Sequence, residues 1–292
     1  MITSQTDRHS RFNLKPFTNL GPLSSYMFVF FIIPIGVFFV YSFWTVRQWD
    51  VVREWNLNNY LEVFSSPVYT KLMVRSFTVG LRTAILSVMV VYPLAYTMVF
   101  RFVKYRDLIL FLLAISLFSN YIVRIYAWRS ILSANGLVNY ILMSIGIASE
   151  PESYLLFSPG GVILVLLNVY MPFATLPIFS ALLNIERDLI EAAQDLGASP
   201  LRAFAQVTLP LSMPGVVVAF LFIFLLSAGD FVTPELVGGK RGMMIGNAVA
   251  TQFGMVSNWP LGSAIVFSTI LVFGAMFGAM LLVRRVVQRV RR

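Results

Sequence analysis

Long apolar runs alternate with short polar segments along almost the whole chain. Six of these runs reach about 20 residues, the length that a helix needs to cross a hydrocarbon core of about 30 Å. They lie at residues 24–46, 76–100, 108–132, 161–183, 215–237 and 261–283. Runs of this length are typical of helices rather than strands, so the pattern predicts an all-α membrane protein with six transmembrane helices.

The composition supports a membrane protein rather than a soluble one. Hydrophobic residues make up 58% of the chain and charged residues only 12%, whereas soluble domains carry about a quarter charged residues. One folded core could not bury this much apolar surface, so lipid must solvate a large part of it.

The distribution of basic residues predicts the topology. Of the 22 Lys and Arg residues, 13 lie before the first run, after the second, after the fourth and after the sixth. The alternate connections hold six, and the positive-inside rule then places both termini in the cytoplasm. We therefore predict cytoplasmic tails at 1–23 and 284–292, and one transmembrane domain at 24–283.

Several kinds of chemistry lack the residues that they require. The chain has no Cys, and its one histidine is His9 in the amino-terminal segment, so thiolate, Ser-His and His- or Cys-based metal chemistry have no candidates. A Walker loop needs Ser or Thr after Gly-Lys, but Arg241 follows Gly239 and Lys240. We predict no catalytic residue, no metal site and no cofactor bound by this chain, and any ATP hydrolysis must occur on a partner.

The fourth connection, residues 184–214, differs from the other connections. Asn184 is predicted to cap a helix whose first turn carries acidic residues, which suits the positive end of the helix dipole. Gly197 is predicted to stop this helix, and Ser199 to cap a second short helix that Pro210 and Pro214 then break. The first helix has an acidic edge beside an apolar stripe, which consists of Leu189, Ala192, Ala193 and Leu196.

This amphipathic helix has two interpretations. A helix that lies on a membrane surface usually shows a basic face to anionic lipid, whereas this helix is mainly acidic. Small residues in the stripe would instead allow close approach of another backbone, which favours a docking element for a partner protein.

The same segment resembles a known motif. Glu191-Ala192-Ala193, Gly197, Val207 and Leu209-Pro210 are similar, in identity and spacing, to the EAA motif of the transmembrane subunits of type I ATP-binding cassette (ABC) importers. The resemblance implies the permease fold of that family. It also implies that the segment is a coupling helix seated on an ATPase, and it assigns coupling to Glu191, Ala192, Ala193, Gly197, Leu209 and Pro210.

The resemblance implies partners as well as a fold. The expected partners are a cytoplasmic ABC ATPase dimer that uses ATP and Mg, a second permease that is identical or homologous, and an external (periplasmic) substrate-binding protein. The expected location is the bacterial inner membrane, the expected mechanism is alternating access, and no nucleic acid is involved. An ATP-independent secondary transporter would also explain the spans, but it would not explain the motif.

Three shorter segments narrow the resemblance. Residues 124–128 (RIYAW), 135–139 (NGLVN) and 229–239 (GDFVTPELVGG) are similar to segments of spermidine and putrescine permeases. A polyamine is therefore the expected substrate. Permeases for opines and other small organic solutes share parts of these segments, so such a solute is the alternative.

Ionisable residues within apolar runs are candidates for the substrate path. Asp230 and Glu235 could receive ammonium groups, and the chain also places Arg124, Arg129 and Trp128 in or near the third run. Two interpretations of Asp230 remain open, contact with substrate or an ion pair with Arg124 or Arg129. Arginines that line the path unpaired would favour an anionic solute such as an opine.

Overall fold

The structure is a computed structural model that describes residues 25–147, 150 and 156–290, with the backbone alone for 279–290. The predicted tail at 1–23, including His9, lies outside the described residues. Helix α13 continues past the predicted end of the sixth span at 283. The described residues are mainly helical, so the all-α prediction is confirmed.

We number the helices in chain order. They are α1 Ser25–Tyr41, α2 Asn58–Ser65, α3 Pro67–Phe100, α4 Arg106–Phe118, α5 Tyr121–Ile131, α6 Leu137–Ser144, α7 Pro159–Leu183, α8 Arg187–Asp195, α9 Pro200–Ala228, α10 Pro234–Gly238, α11 Gly239–Gly242, α12 Ile245–Phe253 and α13 Trp259–Val290. A 3₁₀ turn at Val103–Tyr105 joins α3 to α4. Strands β1 (Thr45–Arg47) and β2 (Asp50–Val52) form a small antiparallel hairpin.

Four helices, α3, α7, α9 and α13, are long and apolar enough to cross a membrane on their own. Helices α4 and α5 together make a fifth candidate span that is bent by 97°. Helix α1 is apolar but shorter than the length of these spans. The six-span count and the cytoplasmic termini therefore stay predictions.

The main hydrophobic core lies between α3, α7 and α9. The approach of α3 to α9 is close, since a Cβ added to Gly80 would lie 2.8 Å from the Cβ of Ala228. Aliphatic, small and aromatic side chains fill the interior, and burying them stabilises the bundle by about 25 cal/mol per Å². They include Ala84, Val91, Ala95 and Met98 of α3, Ala174, Ile178 and Leu182 of α7, and Ala219, Ile223 and Phe224 of α9.

The first span ends earlier than the predicted boundary at residue 46. Helix α1 stops at Tyr41. The backbone that follows is held in a non-helical path by hydrogen bonds from Asn59 of α2. Its amide Nδ2 donates to the carbonyl oxygens of Ser42 at 3.0 Å and Trp44 at 2.7 Å. The apolar residues 43, 44 and 46 therefore extend the hydrophobic run without extending the helix.

The third predicted span is broken rather than straight. Ser119 has extended backbone with ψ 135°, and the side chain of Asn120 caps α5 by accepting from the amides of Ile122 at 2.9 Å and Val123 at 3.2 Å. An Asn N-cap begins a new helix, so α5 leaves α4 at a sharp angle within one apolar run.

The fifth span begins and ends earlier than predicted. Pro210 and Pro214 do not break the chain, since α9 runs unbroken from Pro200 to Ala228. A π-helical turn at Phe204–Thr208 precedes the prolines, and such local adjustments allow proline within apolar helices. The helix ends before Asp230, which therefore lies in a break and not in the interior of the span.

Candidate coupling and substrate sites

Helix α8, the centre of the predicted coupling loop, begins after Glu186 rather than after Asn184. Asn184 is instead the C-cap of α7, directly after Leu183, and its backbone amide donates to the carbonyl oxygens of Leu182 and Ser180. Ile185 is only 7% exposed and fixes the connection against the main core. The predicted cap was wrong because Asn184 closes the last turn of α7, and Glu186 is the residue immediately before α8.

Two contacts hold one face of α8 to the membrane bundle. Ile190 packs against the main core, and Nη2 of Arg187 donates to the carbonyl oxygen of Val99 near the end of α3, at 3.4 Å. The opposite face is free in this chain, since Leu189 is 47% exposed and Leu196 is 90% exposed. The loop therefore carries an exposed apolar stripe on the face of α8 that does not contact the bundle.

The motif residues take up distinct positions around this loop. Glu191 and Ala192 are exposed on α8, and Ala193 is half-buried. Gly197 has φ +89° and forms the predicted left-handed stop. This conformation suits glycine because it lacks a Cβ.

The second half of the motif lies on another helix. The hydroxyl of Ser199 accepts from the amide of Arg202 at 3.4 Å and caps α9 as predicted. Leu209 and Pro210 are exposed about three turns further along α9. The two halves are joined through the tight turn at Gly197, and α8 lies beside the π-helical turn Phe204–Thr208 that precedes Leu209 and Pro210.

Asp230 forms the centre of a buried polar junction. Asp230 is only 6% exposed, and its carboxylate accepts five hydrogen bonds. Oδ1 accepts from the amides of Val232 at 2.9 Å and Thr233 at 3.2 Å, and so caps the helical segment that follows. Oδ2 accepts from the hydroxyls of Thr233 at 2.8 Å, Tyr121 at 2.5 Å and Tyr170 at 3.3 Å.

The two tyrosines bring separate helices to this carboxylate. Tyr121 is the first residue of α5, and Tyr170 lies in α7. Their rings stack with centroids 6.4 Å apart and an interplanar angle of 21°. Asp230 therefore ties together the start of α5, the middle of α7 and the break after α9.

Glu235 is placed differently from Asp230. It is exposed, and its Oε2 accepts from Nδ2 of Asn247 at 3.0 Å. The same Nδ2 donates to the carbonyl oxygen of Phe231 at 2.8 Å. Phe231 is 48% exposed, so an oriented carboxylate and an open aromatic ring lie on one short segment.

The candidate arginines do not pair with Asp230. Arg124 donates to the carbonyl oxygens of Val169 at 3.2 Å, Ser119 at 3.3 Å and Ser116. The guanidinium of Arg129 lies 6.0 Å from the centroid of the Phe157 ring. Within the described residues, the ion pairs are Arg47–Glu54 and Arg106–Asp107, so the predicted alternative of an Asp230–Arg pair is not observed.

Trp128 serves as a packing and hydrogen-bonding residue between helices. Its Nε1 donates to Oδ1 of Asn168 in α7 at 2.9 Å, and its ring packs against the cluster around Ile125 and Val169. Like Arg124, it attaches α5 to α7.

Sequence reasoning missed four residues of these sites, Tyr121, Tyr170, Thr233 and Asn247. The Asp230-x-x-Thr233 spacing is a helix-capping signal that could have been found. Tyr121 and Tyr170 are 109 and 60 positions from Asp230, and Asn247 lies on a different helix from Glu235. Nothing in the neighbouring sequence marks these three residues. In the described residues there is no group of three His, Cys, Asp or Glu side chains that could hold a metal ion.

Comparisons with known proteins identify the family. Residues 107–292 match the family described as binding-protein-dependent transport system inner membrane component. The chain is 33% identical over 220 residues to the spermidine/putrescine transport system permease protein PotB of Escherichia coli (strain K12), covering 75% of this chain and 79% of that protein. It is 31% identical over 269 residues to the inner membrane ABC transporter permease protein YdcU of the same organism, covering 87% and 84%.

Solved structures agree with the fold. A bacterial ABC transporter involved in the import of the acidic polysaccharide alginate contains a chain with a TM-score of 0.68 and 16% identity, over 93% of this chain and 95% of that chain. A second structure of a bacterial alginate ABC transporter, in complex with alginate pentasaccharide-bound periplasmic protein, gives a TM-score of 0.69 over 93% and 94%. The chain therefore belongs to the family of binding-protein-dependent transport system inner membrane components, and it is an inner-membrane permease subunit of an ABC importer.

Proposed function

We propose that this permease subunit carries a polyamine, a small organic polycation such as spermidine or putrescine. The observation that carries the proposal is the pair of acidic residues at the break after α9. Asp230 and Glu235 make no ion pair within the described residues. A carboxylate at the end of a membrane span without a counter-charge favours a cation in its vicinity.

The two carboxylates have different parts in this proposal. Glu235 is exposed and held by Asn247, so it is the residue that contacts an ammonium group. Phe231 adds an open ring face, and cation–π attraction to such a face contributes about 0.5–2 kcal/mol. Asp230 is buried and contributes its negative charge without direct contact.

The arginines support a cationic rather than an anionic substrate. Arg124 is directed at backbone carbonyl groups, and Arg129 lies over an aromatic ring. An opine or another anionic solute would need unoccupied guanidinium groups along the path. The similarity to PotB, whose name describes spermidine and putrescine transport, supports the same substrate class.

Coupling to ATP is the second part of the proposal. The exposed stripe of α8, with Glu191 and Ala192 beside it, docks on a cytoplasmic ABC ATPase dimer, which binds and hydrolyses ATP with Mg. A second permease, identical or homologous, completes the path, and an external binding protein delivers the substrate. The periplasmic protein bound to the alginate transporter supports the last of these partners.

Uptake in proteoliposomes tests the substrate and the energy source together. The tagged chain is purified from native membranes with its associated subunits, reconstituted, and supplied with its binding protein and radiolabelled spermidine. We expect uptake that needs ATP on the ATPase side and that unlabelled putrescine inhibits but octopine does not. Inhibition by octopine and not by putrescine would indicate an opine as the substrate. Uptake without ATP would indicate a secondary transporter.

A further inference from the structure

Helix α9 connects the two candidate sites directly. It is a single helix of 29 residues, about 43 Å long at 1.5 Å per residue. One end begins at the Ser199 cap, two residues after Gly197 of the coupling loop, and the other end stops two residues before Asp230.

Asp230 links that helix to the segment that carries Glu235. Its Oδ1 accepts from the first free amides of the segment, those of Val232 and Thr233. The amide of Glu235 then donates to the carbonyl oxygen of Phe231 at 3.2 Å. The direction of this first turn, and with it the position of the Glu235 side chain, depends on the Asp230 cap.

The hydroxyls on Oδ2 fix the cap against the rest of the bundle. Tyr121 and Tyr170 approach from α5 and α7, and Thr233 approaches from the segment itself. A carboxylate with so many donors has one preferred orientation, because each rotation would leave buried donors without an acceptor.

We propose that Asp230 is a positioning residue that transmits movement of the coupling loop, through α9, to Phe231 and Glu235. The inference rests on the proposed function, since it takes these two residues as the contact for the substrate cation. When α9 moves with the coupling loop, the junction re-aims the 231–235 segment, and the cation contact opens toward a different side of the membrane.

Accessibility of one introduced thiol tests this link without any substrate. The chain contains no Cys, so Phe231→Cys places a single thiol in it. The thiol is treated with a cationic methanethiosulfonate, and the increase in the mass of this chain measures the extent of labelling. Labelling is compared between nucleotide-free and vanadate-trapped transporter in proteoliposomes. We expect the two rates to differ about tenfold, as when a conformer goes from roughly 10% to most of the population.

Two variants weaken the junction while keeping its volume, Tyr121→Phe and Thr233→Val. In each, we expect the difference between the two states to fall to about twofold or less, because a loosened cap lets the segment move independently of α9. The control is Tyr126→Phe, which removes a hydroxyl from an exposed residue of the same helix α5. It should keep the full difference.

Hydrolysis supplies a second readout. The junction variants should hydrolyse ATP at the basal rate, but the loaded binding protein should stimulate their hydrolysis less. Asp230→Asn keeps an Oδ1 acceptor, so its hydrolysis should be stimulated more than that of Asp230→Ala. The proposal is overturned if Phe231→Cys labels equally in both states, or if both junction variants keep the full difference. A transporter that does not take up spermidine but shows the expected labelling would refute the polyamine assignment alone.

Discussion

Gly215 of α9 lies directly against the carbonyl oxygen of Pro177 in α7. A Cβ placed on Gly215 would be 2.4 Å from that oxygen and 2.4 Å from the Cβ of Ala181. Real carbon atoms do not approach so closely, so the two helices touch through backbone at this point. The contact fixes α9 against α7 in the half that follows the 184–214 loop, as Gly80 and Ala228 fix it against α3 at the other end.

The first prediction follows from this contact. Gly215→Ala should push α9 away from α7 and destabilise the bundle by about 1–3 kcal/mol, the usual effect of overpacking a core. The measurement is the thermal unfolding midpoint of the purified transporter in detergent. Gly36→Ala is the control, because nothing lies within 4 Å of the Cβ position there; equal midpoints for the two variants would contradict the close packing.

A second prediction concerns the turn of the coupling loop. Gly197→Ala forces a side chain into φ +89°, which costs about 1 kcal/mol, and it should turn α8 away from its docking position. We expect uptake to fall about tenfold, within the usual range of coupling free energies, while the amount of chain in the membrane stays unchanged.

Two further variants complete the test of the loop. Glu191→Gln should also reduce uptake, since it removes the acidic group beside the stripe. Gly160→Ala is the matched control, because its added Cβ would meet its nearest neighbour, the Ser158 hydroxyl, at an ordinary 3.6 Å. Normal uptake by both loop variants would count against coupling through this segment.

The cation contact gives a third prediction. Glu235→Gln keeps the shape of the side chain but removes its charge, and hydrogen bonds to charged groups contribute about 1.5–3 kcal/mol. We therefore expect the half-saturating concentration of spermidine in uptake to rise by at least about tenfold. Glu62→Gln, at an exposed acid on α2, should change nothing, and an unaltered half-saturating concentration in Glu235→Gln would remove Glu235 from the path.

A fourth prediction concerns the bend between α4 and α5. Arg124→Gln leaves carbonyl groups of Ser116, Ser119 and Val169 without their donor, and should destabilise the protein by about 2 kcal/mol. Arg124→Lys should rescue it only in part, since an ammonium group cannot reach three separated carbonyls in the same geometry. Arg82→Gln, at an exposed arginine of α3, is the control for the unfolding midpoint. A loss of transport with unchanged stability would point instead to a role in the path.

Most of the secondary structure followed from the lengths of the apolar runs. The runs at 76–100 and 161–183 lie within α3 and α7, because a continuous apolar stretch in lipid must satisfy its own backbone as a helix. The run at 108–132 failed as one span because Ser119 and Asn120 end one helix and begin another. That capping signal is weak beside the surrounding apolar residues, and hydropathy averages over it.

The turn and the cap in the predicted coupling loop followed from the sequence because both are local. Gly197 and Ser199 need only their neighbours to form a turn and a cap, so the pattern of residues is enough to predict both. The exposed side of α8 also follows from its own periodicity.

The arrangement around Asp230 could not be found in this way. Two of its three hydroxyl donors come from Tyr121 and Tyr170, 109 and 60 positions away, and no spacing rule connects them.

The sequence by itself determined that this protein is an α-helical membrane protein, and its local motif pointed to a permease of the ABC importer family, since apolar length and a local motif are readable along the chain. The tertiary structure alone decided that hydroxyl groups hold Asp230, that Arg124 donates to carbonyl groups at the bend between α4 and α5, and that the Glu235 side chain is exposed. The reason is physical: the state of a charge in a membrane bundle depends on which distant helices supply its partners, and only packing brings them together.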